Sequence, residues 1–427
     1  MLNPLVLPMR FCPTTLTTAR IGVLKTTLVV LLCAASGQRA SGQQTVKLTL
    51  EEVLRLANQN NLDLAAARAK RAAALAGIAI AKERPNPTVS VGASRDLPHE
   101  NVLLDQPFEL GLKRAKRIEV ARGESALNVI EIDILARQIR HKTRDAFYRV
   151  LLSRAQSDQA ADALKLAQRL QQIAHDRFAV GDVAQLEVLQ ADLEVARADV
   201  DYKVLLQEQR TARSELATLL NQPEASLPEL EGTIADLPPA LEQNALVEKA
   251  HSSSPEIQRT TQERTIEASR LSLLKWQRVP NLDIQAGVDL NSPPDFQVGG
   301  RGQVGITLPI FSRNQGEIAQ SNANLKVLDL SLQAARRNVE GAVEAAYLDV
   351  AAKRTQVELY RDNLVPATLK LEAMAEESYQ AGKSNVLNVI DAQRRTSDIK
   401  RAYLDSLFNF HSAFASLEEI VGEPLGP

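Results

Sequence analysis

Four stretches of the chain alternate apolar and polar positions. Leu282, Ile284, Ala286, Val288 and Leu290 interleave with Asp283, Gln285, Gly287, Asp289 and Asn291. After the turn Ser292-Pro293-Pro294-Asp295 the alternation resumes at Phe296 and Val298 and continues through Val304, Ile306, Leu308 and Ile310. A period of two predicts a β-hairpin with one apolar and one polar face. Earlier, Val89, Val91 and Ala93 alternate with Thr88, Ser90 and Ser94, and Val102, Leu104, Phe108 and Leu110 return after the loop around Pro98 to Asn101. That predicts a second hairpin. Each of the four strands is expected to run about 10 residues or more, the length that crosses a bilayer at a tilt of about 45°.

Between the hairpins the period changes. Glu124 to Val180 contains neither Gly nor Pro, and its roughly 57 residues would form a helix of about 85 Å. Asp182 to Gln222 adds a second uninterrupted stretch of roughly 41 residues, or about 60 Å of helix. Within it Leu186, Leu189, Leu193, Ala196 and Val200 recur at spacings of three and four, a narrow seam that needs partner helices. Both stretches are too polar for lipid, so they are expected to extend through water. An ordinary coiled coil would share this pattern.

If the apolar hairpin face meets lipid, no strand edge can stay open, because an unpaired backbone group in hydrocarbon costs several kcal/mol. Four strands cannot close on themselves. Two copies would give eight strands and a bore filled by side chains, whereas three give twelve and leave room for water. The Gly, Gln and Thr residues of the polar faces suit the wet option, so a trimeric pore is predicted. The competing arrangement is a small α+β domain with the hairpin packed on a helix, but the helices between the hairpins are far longer than such a domain uses.

Composition supports long helices. Of 427 residues 44% are hydrophobic and only 4% aromatic, so a large aromatic-rich core is absent. The 50 basic residues against 52 acidic ones give a net charge of -2, which argues against a nucleic-acid partner. Arg20 and Lys25 precede the apolar run Thr26 to Ala35, with small residues at Ala40, Ser41 and Gly42, the layout of a secretory signal peptide. Residues 1–42 are therefore read as signal and leader. Cys12 and Cys33 are the only cysteines, which removes a deeper disulfide, thiol or Cys-ligated zinc from consideration. Cys33 could carry a lipid, although bulky Leu32 precedes it.

Enzyme chemistry finds little support. Ser272 and Lys275 match S-x-x-K but lie in an amphipathic helix without the companion motifs. Gly299-Gly300-Arg301-Gly302 sits inside a strand and opens no helix, so it makes no phosphate cradle. His141, His175, His251 and His411 show no shared ligand spacing, and His99 falls in a loop. No catalytic residue, metal site or cofactor is predicted.

The chain is also written twice. Pro85-Asn86-Pro87 with Gly92 recurs as Pro280-Asn281-Leu282 with Gly287, and Phe178-Ala179-Val180-Gly181 recurs as Tyr379-Gln380-Ala381-Gly382. The run Leu186 to Ala191 matches Leu387 to Ala392, and the register continues through Tyr202 and Tyr403 to Leu216 and Leu417. Residues 43–222 and 240–422 are expected to be two structural repeats of helix, hairpin and long helix pair, joined by a proline-rich connector, 223–239, and followed by a tail, 423–427.

With these features the sequence resembles the TolC-type outer-membrane efflux family over nearly its whole length, from about Thr49 to Gly422. The aromatic-x-x-Gly turns, the runs that follow them, the Pro-Asn junctions and the doubled element order carry the resemblance. Within the family it is most similar to the heavy-metal and cation branch of CzcC and CusC, partly through the Gly-Lys-Ser-Asn turn at Gly382 and through Pro366. The resemblance implies a mainly α fold with a membrane β-barrel contribution: a homotrimer with a twelve-stranded barrel in outer-membrane lipid and an α-helical tunnel through the periplasm. It implies an outer-membrane channel subunit of a tripartite efflux or secretion system, docked to a periplasmic adaptor and an inner-membrane pump, of RND type in that branch. The alternative is a periplasmic coiled-coil adaptor or scaffold without a barrel. Phe178, Gly181, Tyr379 and Gly382 would form the periplasmic tip turns and contact the adaptor. Glu187, Asn388 and Asp391 would constrict the entrance, where carboxylates converging from three copies favour passing cations.

Overall fold

The computed structural model describes residues 47–425 apart from Pro293 and Asp295; the expected export signal and Cys33, expected as a possible lipid site, lie outside the described residues. The chain opens with α1 (Leu50–Asn60) and α2 (Leu62–Lys82), forms β1 (Thr88–Ala93) and β2 (Glu100–Glu109), and continues into α3 (Lys113–Ala179) and α4 (Gln185–Leu219). The order then recurs: α5 (Gln243–Ser253), α6 (Pro255–Trp276), β3 (Asn281–Ser292), β4 (Phe296–Ile306), α7 (Gln315–Leu359), α8 (Val365–Gln380) and α9 (Val386–Val421).

Local chemistry sets the helix boundaries. Thr49 and Glu52 form a reciprocal capping box at the start of α1, and Asn61 caps α2 by accepting the Leu64 N–H at 3.1 Å. α3 is 67 residues long, about 100 Å of helix. It begins at Lys113, earlier than the Gly-free stretch suggests, because Gly123 is accommodated where α6 presses close: a Cβ there would meet Ile266 Cγ1 at 2.9 Å. Its counterpart in the second half is α7 continued by α8. The two join through a π turn, Tyr360–Leu364, in which the Val365 N–H reaches the Tyr360 carbonyl. Pro366, which has no N–H to donate, then falls in the first turn of α8, where it costs least.

The strands form one antiparallel sheet in the order β1-β2-β3-β4, so the central pairing, β2 with β3, joins the two halves of the chain. Its register collects the apolar positions on one face. Val89 lies across from Leu104, Leu104 from Ala286, Val102 from Val288 and Ile284 from Val304. Asp105, Gln285 and Gln303 line up on the other face, beside Asn101 and Asp289. β1 spans only 6 residues rather than ten, since Pro85 and Pro87 cannot donate to β2. β4 ends at Ile306, so Leu308 and Ile310 lie beyond the strand, next to donor-less Pro309. Both outer strands leave an edge unpaired among the described residues.

The helices share two separate cores. The larger one, at the waist, packs Phe147, Leu216, Val343, Phe410 and Leu417 from α3, α4, α7 and α9. The proline-rich connector is part of it: Leu227, Leu230 and Ile234 are buried, and Leu48 bridges to Leu230 in parallel. The Ile234 carbonyl receives a hydrogen bond from buried His411, whose ring stacks on Tyr148 at 3.7 Å. Burial pushes the pKa of His411 down to about 4, so it is neutral at pH 7. The smaller core lies at the far ends of the long helices and consists of Leu170, Tyr379, Val386, Val389 and Ile390.

Candidate functional site

α3 and α8 both end on a glycine in the left-handed region. Gly181 has φ +79° and Gly382 φ +70°. Asp182 N–H donates to Arg177 O and Gly181 N–H to Phe178 O, both at 2.9 Å; Lys383 to Ser378 and Gly382 to Tyr379 repeat the pattern at 2.9 Å. These paired bonds are Schellman caps, which satisfy the last helical carbonyls and turn the chain sharply into the next helix. α9 starts on Asn385, whose side chain accepts the Asn388 N–H at 3.2 Å.

The two turns differ in their aromatic residue. Phe178 is 44% exposed, whereas Tyr379 is fully buried in the small core. Arg177 links the turns: its guanidinium carbon lies 5.1 Å from the centre of the Tyr379 ring, while its Nε donates to Asp182 at 2.7 Å. Burial raises the pKa of the Tyr379 phenol, and the charge of nearby Glu187 adds to the effect. Sequence reasoning paired Phe178 with Tyr379 and overlooked Arg177, although it sits just before Phe178 in the last turn of α3.

Glu187 stands half-buried in the first turn of α4, and one of its carboxylate oxygens is buried without a hydrogen-bond partner among the described residues. Asn388 and Asp391 lie one turn apart on the exposed face of α9. The tighter contact between the helix pairs is made three residues further along α9. There Arg394 holds Glu194 of α4 with two guanidinium nitrogens, one at 3.4 Å, and the Glu194 side chain is only 9% exposed. Gln393 donates to Ala163 O at 3.1 Å, Gln159 to Ser397 O at 2.9 Å and Gln156 to Asp405 at 2.9 Å. This polar ladder between α3 and α9 carried no recognisable sequence signal, because glutamines and arginines on long helices read as solvated.

The outer helices carry bare apolar rows. The α4 seam is open: Leu186 is 63% and Leu193 68% exposed, and Leu189 and Val200 are also exposed. α7 and α8 expose Leu348, Leu359, Leu369 and Met374. α3 and α9 lie between these outer helices. Among the described residues no three His, Cys, Asp or Glu side chains gather as a metal site.

A one-sided sheet open at both edges, carried on paired helices with glycine-capped tips, is the build of a barrel-and-tunnel channel protomer. The outer membrane efflux protein family matches residues 53–222 and again residues 246–423, and the chain belongs to that family. Its members are outer-membrane channel subunits of efflux systems. The cobalt-zinc-cadmium resistance protein CzcC of Cupriavidus metallidurans is 26% identical to it over 88% of this chain and 90% of that protein. The pyoverdine export outer membrane protein OpmQ of Pseudomonas putida is also 26% identical, over 81% and 79%. Among solved structures, CusC superposes with a TM-score of 0.72 at 16% identity, covering 89% of this chain and 93% of that one. OprN gives 0.71 at 16% identity over 88% and 91%.

Proposed function

We propose that three copies of this chain form a passive conduit through the outer membrane and periplasm, fed by an inner-membrane pump through a periplasmic adaptor. The observation that carries this reading is the four-stranded sheet, which is apolar on one face and unpaired at both edges. In lipid such edges must close, and joining β4 of one copy to β1 of the next around a ring closes them with identical contacts. The same rotation brings the exposed α4 seam of one copy against the exposed row on α7 and α8 of its neighbour, which gives the seam the partner it lacks within the protomer.

The tip turns at Phe178, Gly181, Tyr379 and Gly382 are the adaptor-facing surface in this reading, and Glu187, Asn388 and Asp391 border the entrance. The similarity to CzcC favours metal cations as cargo and an RND-type pump as partner. In detergent the purified protein is expected to run as a heat-modifiable trimer and to give discrete conductance steps in planar bilayers. Recovery as a monomer that stays in solution without detergent overturns the reading. An adaptor without a barrel would give neither trimer nor conductance.

A further inference from the structure

Where the strands meet the helices, the chain collects cations. Lys82 and Arg84 lie at the end of α2, Arg114 in the first turn of α3, Lys275 and Arg278 at the end of α6, and Arg313 just before α7. The strand register places all of these at one end of the sheet, the end at which Glu109 faces Asn281 and Leu282 faces Ile306. Three of them are held by backbone carbonyls. Arg114 Nε donates to Lys82 O at 2.7 Å, Arg278 Nε to Arg313 O at 3.0 Å and Arg313 Nε to Pro309 O at 3.2 Å.

None of these six cations forms an ion pair with a carboxylate among the described residues, whereas their neighbours Lys116 and Arg117 are paired with Glu119 and Glu109. The first turn of α3 holds no acidic residue, although the positive end of a helix dipole favours one. Glu83, between Lys82 and Arg84, and Glu317, in the first turn of α7, are the nearby carboxylates in sequence and leave the six cations in excess. At the far end of the sheet, by contrast, Arg301 and Asp289 pair at 3.0 Å and Arg95 is accompanied by Asp96 and Glu100. A neighbouring copy cannot supply the missing negative charge, because in a ring each copy brings the same excess to the same level. Beside the cations stands exposed apolar chain, with Phe311 92% exposed, Leu308 63% and Ile310 61%.

An unpaired basic rim bordering a lipid-facing band complements negatively charged headgroups. We propose that this rim binds anionic phospholipid headgroups of the periplasmic leaflet, with Leu308, Ile310 and Phe311 entering the acyl boundary beside it. The inference rests on the outer-membrane channel reading and adds the class of lipid the protein selects.

The test reconstitutes the full-length protein in vesicles of phosphatidylethanolamine containing a minor fraction of cardiolipin, extracts it gently and counts retained lipids by native mass spectrometry. Cardiolipin should be enriched over its share of the vesicle, and the enrichment should fall as salt rises. In the variant Arg114→Gln, Lys275→Gln, Arg278→Gln, Arg313→Gln the enrichment should drop by up to about fivefold per charge removed at low salt. Arg336→Gln with Lys370→Gln, which removes exposed cations away from the rim, should leave it unchanged. Wild-type protein that retains the two lipids in vesicle proportion overturns the proposal, as does a quadruple variant that retains as much cardiolipin as wild type. Failure to insert into the vesicles overturns the channel reading itself, and the lipid proposal with it.

Discussion

At the scale of single residues, two glycines of similar backbone conformation should respond differently to the same change. Gly382 has φ +70° and only Arg177 Nη2 near a would-be Cβ, at 3.9 Å, so Gly382→Ala meets backbone strain alone, about 1 kcal/mol. Gly422 has φ +85°, and a Cβ there would meet the Ser253 carbonyl oxygen at 2.4 Å, where backbone must shift. Gly422→Ala is therefore expected to lower the denaturant midpoint distinctly more than Gly382→Ala; equal midpoints would contradict the close approach of α9 to α5. A second residue-scale expectation concerns His141, held between Asp145 at 3.2 Å and Glu419 at 2.7 Å. The hydrogen bond to Asp145 and the two carboxylate charges raise its pKa against the opposing effect of burial. The folded state thus binds this proton more tightly than the unfolded one. The contribution is complete below the ordinary histidine range near 6.5 and disappears as pH rises through the raised value. Stability of wild type relative to His141→Gln should accordingly be greatest at pH 5 to 6 and shrink towards pH 9, and a constant difference across that range would exclude the linkage.

At the scale of elements, the exposed seam on α4 separates folding from assembly. Leu189 and Leu193 contact little within the protomer, so Leu189→Glu with Leu193→Glu should leave the helical circular dichroism unchanged and abolish the heat-modifiable trimer in gels. A variant that stays trimeric would show that the seam faces something other than a second copy. This seam was legible in the sequence because spacing alone reveals a row of leucines, and its lack of a partner within the chain was foreshadowed by its narrowness. The glycine turns were legible for a similar reason, since few residues other than Gly accept positive φ. The short β1 could have been anticipated from Pro85 and Pro87, but alternation of side chains outweighed the missing donors. The burial of the connector was not legible: prolines mark the end of a helix but say nothing about burial, and Leu227, Leu230 and Ile234 belong to the waist core. The β2 to β3 pairing and the Arg394 to Glu194 contact join residues far apart in the chain, and no local pattern encodes such pairs.

At the scale of the whole molecule, the waist and the tips are held by separate sets of contacts. A large apolar cluster fixes the waist, while the tips rely on five buried residues, one guanidinium over a ring and a few polar bonds. Rearrangement at the tips therefore need not disturb the waist. Asp391 tests the same end: with three copies around the axis, Asp391→Ala should reduce the preference for cations over anions in single-channel recordings, and unchanged selectivity would remove a carboxylate ring from the account. The dissimilarity of the two tip turns has a geometric corollary. One turn offers an exposed Phe178 beside Asp182; the other hides its aromatic residue and offers Lys383. A ring of three protomers thus ends in six knuckles of two alternating kinds, and its symmetry there is threefold rather than sixfold. Whatever grips all six must either tolerate both kinds on each of its contact faces or be built of alternating parts itself.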